Sequence, residues 1–375
     1  MTDDSTPHAC PDCLRRSRLL AHLAPYIEKI ATGAPGSRSP ELLRLGNEDL
    51  AEVAAPKVAT RILAQVAATS ERRLAAELTE AGCWGCCQHD PRFPSGLRDA
   101  PDGPWALIGR GDPALLERLV PDGAVTVVGA RRASTYGREV ARDLGRELAR
   151  AGLVVVSGLA FGIDACAHRG ALESGLTVAV LGCGAGVSYP AAHRSLWRRI
   201  GESGLVLSEL PPRTGAWRWS FPARNRIMAA LSGMTVVVEA AARSGSLITA
   251  DLAADLGRDL GAVPGPVGSR LSAGPHNLLA GGACLVRDAQ DVLDAMLGPG
   301  GHQIERSGPP LEPRQRGVLE ALELGAETGD AVAAGLRLSG AEAAAALADL
   351  ESLGYVSCSL VGVYTRTPLQ PPADI

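Results

Sequence analysis

The stretch Val125-Thr126-Val127-Val128-Gly129-Ala130-Arg131-Arg132-Ala133-Ser134-Thr135-Tyr136-Gly137 decides the fold. Four β-favouring residues with no charge among them read as a strand buried on both faces. Small residues and two arginines then turn the chain into a helical pattern over 137–151. A short apolar strand feeding straight into a helix is the unit of a covered parallel sheet. The unit recurs. Further strands are expected at 153–156, 177–181, 205–208 and 235–238, with shorter ones at 262–263 and 284–286. Helices are expected between them at 164–174, 193–203, 225–231, 248–260 and 276–280. Residues of about 120 to 297 therefore read as an α/β, Rossmann-like, doubly wound and mostly parallel sheet.

On the N-terminal side the period changes. Residues 14–30 and 58–81 carry apolar side chains at helical spacing, and Ser39-Pro40-Glu41 reads as a cap and helix start. Residues 1–84 are expected to form a helical domain of the SAM or helix-hairpin-helix kind. Residues 85–123, rich in Pro, Gly and Asp, read as a connector with short strands, which places the Rossmann-like domain with its connector at 85–297. On the other side, 298–310 is a linker, with Gly298-Pro299-Gly300-Gly301-His302 and Arg306 to Pro310. Residues 311–368 read as three helices (314–324, 328–337, 339–353) and a hairpin, a winged-helix-like domain. Ser339 with Glu342 makes a capping box for the third helix. That helix has no Arg, Lys, Asn or Gln, the side chains that read bases or phosphates, so a protein contact is expected there.

Composition narrows the function classes. A formal net charge of -4 excludes a protein that coats nucleic acid with positive charge, so any such binding rests on a local patch. Only Lys29 and Lys57 are lysines. The other basic residues are arginines, whose planar forks suit phosphates and stack on rings. No run of about 18 apolar residues is present, which argues against a membrane span. The acidic, polar start MTDDSTPHAC lacks the apolar core of a signal peptide, so a cytoplasmic location with mostly reduced cysteines is expected.

Ligands of a doubly wound sheet sit at the carboxyl ends of the strands. After the first strand, Gly129 permits a tight turn, the next helix offers N–H groups to an anion, and Ala130, Arg131 and Arg132 lie beside it. The pattern is not GxGxxG, and no acidic residue closes the second strand, which disfavours a dinucleotide. The second strand ends at Ser157-Gly158-Leu159-Ala160-Phe161-Gly162-Ile163-Asp164, with His168 one turn on. An Asp–His pair without a nucleophile reads as a structural cap and a satisfied histidine. Gly182-Cys183-Gly184-Ala185-Gly186 is a glycine-rich loop. The most informative stretch is Trp217-Arg218-Trp219-Ser220-Phe221-Pro222-Ala223-Arg224-Asn225-Arg226. Three of the chain's thirteen aromatics fall in five residues, interleaved and followed by arginines. Ring stacking plus phosphate neutralisation is the chemistry of sequence-tolerant single-strand binding. Some of these rings are also expected in the core. Ser244-Gly245-Ser246 at another helix start forms a second phosphate-sized site.

Taken together, these motifs resemble the DNA-processing protein A family, also called Smf. The resemblance runs through VGARRASTYG, SGLAFGIDACAH, GLTVAVLGCG, Tyr189-Pro190, Ser208-Glu209, FPARNRIMAALS, VVEAAARSGSLITA, AVPG and GGA, over about 125–285. It implies single-stranded DNA binding, a homodimer formed through the Rossmann-like domain, and loading of the RecA recombinase in natural transformation or recombination. It assigns a phosphate role to Arg131, base stacking to Phe221, and supporting roles to Arg218, Arg224, Asn225 and Arg226. Two departures stand out: Phe161 and Ala191 occupy positions where the family commonly has basic residues. Arg132, Arg194 or Arg243 could compensate for them. The expected DNA-binding set is Gly129, Ala130, Arg131, Arg132, Gly158, Arg218, Phe221, Arg224, Asn225, Arg226, Ser244, Gly245 and Ser246.

No catalytic residue and no cofactor are assigned, and the chain reads as a binding protein rather than an enzyme. The competing reading is a Rossmann-like nucleotide-binding or nucleotide-hydrolysing protein. Its Pro-Gly-Gly-x-Gly-Thr loop is replaced here by Arg243-Ser244-Gly245-Ser246. No metal is assigned either, although Cys10-Pro-Asp-Cys13 and the run Cys83-Trp-Gly-Cys86-Cys87-Gln-His89 offer zinc ligands. Cys10, Cys13, Cys83 and Cys86 form the candidate set. Cys166, Cys183, Cys284 and Cys358 are expected in the core.

Overall fold

The computed structural model describes residues 7–33, 39–300, 308–359, 361–367, 369 and 371. His302 and Arg306 of the expected linker lie outside them. By its contacts the chain divides into two units, Met1–Gln303 and Ile304–Ile375.

The first unit begins with helices α1 (Pro11–Gly33), α2 (Ser39–Leu42), α3 (Asn47–Ala54), α4 (Ala59–Ala67) and α5 (Glu71–Glu80). The single helical segment expected over 58–81 is two helices. The first ends at Ala67, and Ser70 caps the second, its hydroxyl accepting the Arg73 N–H at 3.3 Å. Strands β1 (Trp84–Cys87) and β2 (Ala106–Gly111) follow, with the short α6 (Ser95–Arg98) between them. The alternating part is β3 (Ala124–Val128), α7 (Thr135–Arg150), β4 (Val154–Ser157), α8 (Ile163–Ala171), β5 (Thr177–Val180), α9 (Arg194–Ser203), β6 (Leu205–Ser208), α10 (Ser220–Leu231), β7 (Met234–Val237), α11 (Gly245–Asp255), β8 (Asp259–Ala262), α12 (Ala273–Ala280), β9 (Cys284–Leu285) and α13 (Ala289–Leu297).

Nine strands form one sheet in the order β1-β2-β6-β5-β4-β3-β7-β8-β9. From β6 through to β9 every pairing is parallel, and β2 and β1 add an antiparallel edge. The fold is thus Rossmann-like α/β. The strand order reverses between β3 and β7, which places a crevice at the carboxyl ends of those strands. Strands β3, β4, β5, β6 and β7 are buried along their whole length, as their uncharged, mostly apolar runs predict. Two expectations move. The helix expected over 248–260 ends at Asp255, because Asp259–Ala262 pairs with β7. The helix expected from 225 begins at Ser220, so the aromatic–arginine run forms its first turns, with Pro222 in the opening turn, where a missing N–H costs little.

The N-terminal helices do not pack only among themselves. Leu19, Leu20, Leu23 and Ile27 of α1 share one core with Leu50, Ile62 and Val66, with Leu210 just after β6, and with Trp219 and Ala223 at the start of α10. Glu28 of α1 accepts the Trp219 N–H at 3.0 Å.

Four expected zinc ligands separate in the fold. Strand alternation sends Cys86 into the main sheet core with Leu107 and Phe93, and Cys83 packs with Leu74 and Ile108 in another apolar cluster. Cys10 and Cys13 instead meet Cys87 and His89. Cys166 and Cys183 are buried as expected, whereas Cys284 is exposed on the edge strand β9 and Cys358 is half-buried.

The second unit holds α14 (Pro313–Glu323), α15 (Gly329–Leu336), α16 (Gly340–Ser352) and a hairpin of β10 (Val356–Cys358) with β11 (Tyr364–Arg366). Val318, Leu319, Val332, Leu347, Leu350 and Tyr355 fill its core. Ser339 and Glu342 cap α16 reciprocally, as the sequence predicts. Among the described residues no single helix is long and apolar enough to cross a membrane.

Candidate nucleic-acid interface

The crevice at the carboxyl ends of β3, β4, β5 and β7 opens into a cleft of about 650 Å³. Val128, Gly129, Ala130, Arg131 and Arg132 line it from the loop after β3. Tyr189, Arg218, Phe221, Arg224 and Asn225 line it from the opposite side, and Arg243, Ser244, Gly245 and Ser246 from the start of α11. A smaller groove continues from it past Phe161, Gly182 and Pro190, sharing Arg131, Tyr189, Phe221 and Arg224. The structure therefore gathers in one place most of the residues singled out in the sequence.

At its centre are two rings. Phe221 lies 5.5 Å from Tyr189 between centroids, tilted by 38°, and the Arg131 guanidinium sits 5.4 Å from the Phe221 centroid. Gly182 lies beneath Phe221, leaving the ring room to lie across the glycine loop. Trp217 and Trp219 of the same run turn away into the N-terminal helical core. One ring of the three thus faces the cleft: Trp217 and Trp219, just before α10, cover the N-terminal helices, and Phe221, in its first turn, points the other way. Tyr189, quoted from the sequence only as part of the Tyr189-Pro190 motif, is the partner that sequence reasoning missed. A signal existed: Tyr189 is one of thirteen aromatics and follows the glycine-rich loop by three residues. Phe161 is exposed and stands edge-on to His193 at 4.7 Å, so an apolar ring occupies the place of an expected charge.

Arg131, Arg132, Arg218 and Arg243 are exposed and line the cleft. Arg194 is exposed on α9 and does not line it. The other arginines of the α10 run are committed inward. Arg224 is buried and donates to the carbonyls of Gly158, at 2.7 Å, and Val180, bridging the ends of β4 and β5. Burial pulls its guanidinium down to about 10, with Asp164 opposing. A side chain at 158 would collide with that guanidinium, so Gly158 serves Arg224 rather than a ligand. Arg226 lies outside the cleft. It is buried and holds Glu209 through two 2.7 Å bonds, and sequence alone could not separate it from its exposed neighbours. Asn225 lines the cleft and donates to the Gly245 carbonyl at 3.3 Å.

The expected anion site at the start of α7 is corrected. Glu239, at the end of β7, accepts the Ser134 N–H at 2.9 Å and the Ser134 hydroxyl at 2.6 Å. Ser134 in turn accepts the Gly137 N–H at 3.0 Å. The protein's own carboxylate thus holds the place that a phosphate would take at this helix start. Gly129 has no left-handed backbone. Its side of the loop is pressed against Ile163 and the Glu239 carbonyl, where a Cβ would not fit. The start of α11 is less closed, with Ser244 accepting the Ser246 N–H at 3.4 Å.

Asp164 and His168 do not form a pair. The Asp164 carboxylate accepts the Gly158 and Ala160 N–H groups at 3.1 and 3.3 Å, and burial pushes its pKa up. His168 lies against Thr177 at 2.7 Å. The Thr177 hydroxyl donates to Val155, so His168 Nδ1 is the donor.

The residues matched by a family model described as DNA recombination-mediator protein A are 85–297. A candidate DNA processing protein DprA of Mycobacterium tuberculosis is 45% identical over 267 residues, covering 68% of this chain and 66% of that protein, just under two thirds of its length. The DNA processing protein DprA of Streptococcus pneumoniae is 44% identical over 205 residues, covering 54% of this chain and 71% of that protein. The X-ray structure of the S. pneumoniae protein superposes with a TM-score of 0.59 at 34% identity, over 75% of this chain and 95% of that one. A Helicobacter pylori DNA processing protein A structure, described for its single-stranded DNA binding mode, gives 0.50 at 32% identity, over 55% of this chain and 93% of that one.

Proposed function

The chain belongs to the DNA recombination-mediator protein A family, and on that footing we propose that its cleft binds single-stranded DNA and that the bound strand is delivered to RecA. The observation that carries this reading is the Phe221–Tyr189 ring pair at the carboxyl ends of the strands, with four exposed arginines along the same cleft. Bases stack on rings whatever their identity, and arginines neutralise the backbone beside them. Arg131, Arg132, Arg218 and Arg243 are the proposed phosphate contacts, and Phe221 with Tyr189 the stacking platform. Gly129, Ala130 and the Ser244–Ser246 loop bound the path. Arg224, Asn225 and Gly158 hold the floor, and Arg226 holds α10.

A binding role without catalysis fits the cleft. Among the described residues its one lining carboxylate, Asp164, is buried and engaged by N–H groups. The nucleotide-hydrolysing alternative, already without its glycine-rich loop at Arg243–Ser246, is further disfavoured because Glu239 occupies the start of α7, where a phosphate could otherwise rest. We further propose a homodimer. Support comes from the open edge strand β9, where Leu285 is exposed and one side of the strand has no neighbour in the sheet. The proposed domain order is helical to 84, Rossmann-like over 85–297, and winged-helix-like over 311–368. The exposed face of α16, alanine-rich and without basic residues, favours a protein partner over duplex DNA.

The test is fluorescence anisotropy with a labelled oligo-dT and its duplex at two salt concentrations. Salt-sensitive binding that prefers the single strand supports the reading, and equal or absent binding removes it. A RecA filament assay on the same oligonucleotide tests delivery, and light scattering in solution tests the dimer.

A further inference from the structure

We propose that Cys10, Cys13, Cys87 and His89 form a structural zinc site that clamps the start of α1 to the end of β1. The four ligand atoms lie within 4.8 Å of one another. His89 Nδ1 stands 3.6 Å from Cys10 Sγ, 3.6 Å from Cys13 Sγ and 3.7 Å from Cys87 Sγ. A tetrahedral zinc ion bonds sulfur at about 2.3 Å and nitrogen at about 2.0–2.1 Å, which sets a sulfur–nitrogen separation of about 3.6 Å. All three measured separations match it. A disulfide between any two of these cysteines gives no reason for an imidazole nitrogen equidistant from three sulfurs.

The surroundings are those of a closed metal centre. Cys13 and Cys87 are buried and pack with Ala106 against Ala9 and Trp105. The Cys10 N–H donates to Cys87 Sγ at 3.4 Å, the kind of hydrogen bond that steadies a thiolate ligand. The Cys87 N–H donates to the His8 carbonyl at 3.2 Å, and the His8 N–H donates to Asp90 at 2.7 Å. The segment before α1 is therefore laced to the residues after β1 on both sides of the ligands. Four protein ligands leave no open position, so the ion serves structure and not catalysis. Spacing alone pointed to Cys83 and Cys86, but the pleat of β1 turns Cys86 into the sheet core and Cys87 toward Cys10 and Cys13.

The test uses the full chain, purified without chelator and incubated with zinc. Metal analysis after gel filtration should give one zinc per chain. Cobalt in its place should give the charge-transfer and d–d bands of a tetrahedral thiolate site. Cys13→Ser and Cys87→Ser should lose the metal, whereas Cys83→Ala and Cys86→Ala should keep it. Because the serine variants could fail to fold, alkylation of the wild-type chain supplies a second readout. Cys10 should be protected with zinc bound and labelled after chelation. A chain that takes up no zinc or cobalt overturns the proposal. So does metal retained by Cys13→Ser, or a Cys10–Cys13 disulfide in the chain purified under reducing conditions.

Discussion

Glu239 grips Ser134 with both carboxylate oxygens, one on the backbone N–H at 2.9 Å and one on the hydroxyl at 2.6 Å. The end of β7 is thereby tied to the start of α7 across the switch point of the sheet. Removing the carboxylate with Glu239→Ala strands both donors. The expected cost is about 1–3 kcal/mol in urea-derived stability. If stability is unchanged, the grip contributes nothing.

Phe221 and Arg131 touch one another but act on different parts of a strand. Phe221→Ala should weaken oligo-dT binding by about 1–3 kcal/mol with the salt slope intact. Arg131→Ala should lower both affinity and slope, since each lost phosphate contact releases fewer counterions. Anisotropy titrations at several salt concentrations separate the two. Unchanged affinity in both variants would remove the site.

Arg226 and Glu209 make a buried pair, 2% and 11% exposed. Arg226→Ala should cost about 3–5 kcal/mol, because it leaves a buried carboxylate without its partner. The double replacement Arg226→Met with Glu209→Leu should recover most of that loss and keep the salt slope of DNA binding. A slope that falls in the double variant would make Arg226 a phosphate contact after all.

His168 gives a pH signature. Burial, helped by Arg224, His193 and Arg169, holds its pKa down to about 3 from the ordinary 6.5. The unfolded chain takes up this proton near pH 6.5 and the folded chain does not. The effect is absent above pH 6.5 and destabilises the fold progressively as the pH falls toward 3. His168→Gln should be less stable than the wild type at pH 7, where it loses the Thr177 contact. The gap should narrow by about 2 kcal/mol at pH 5. Parallel urea curves at the two pH values check it, and a constant gap would show that His168 takes up its proton in the folded chain as well.

The sheet was legible in the sequence because its central strands are buried on both faces and so carry uncharged, mostly apolar runs, as at 125–128 and 205–208. The cleft was legible because aromatic residues are scarce here, and a cluster of them needs a reason. Which arginine faces solvent was not legible. Arg224 and Arg226 follow the same motif as Arg218, and only the carbonyls of Gly158 and Val180 and the carboxylate of Glu209, distant in sequence, draw them inward. Glu239 escaped notice for the same reason: its partner Ser134 lies 105 residues away. The metal ligands were half legible. The CxxC pattern marked Cys10 and Cys13, but the pleat of β1 decides that Cys87 rather than Cys86 faces them.

Trp219 and Ala223 sit in the core of the N-terminal helices, on the same helix run that presents Phe221 to the cleft. A fragment trimmed to 85–297 would strip those two residues of their cover and leave Trp219 without Glu28. The recognisable family segment is therefore not a self-sufficient module in this chain. A piece that keeps this shared core carries the N-terminal helices with it, and changes within α1 reach the helix that presents Phe221 through Trp219 and Ala223.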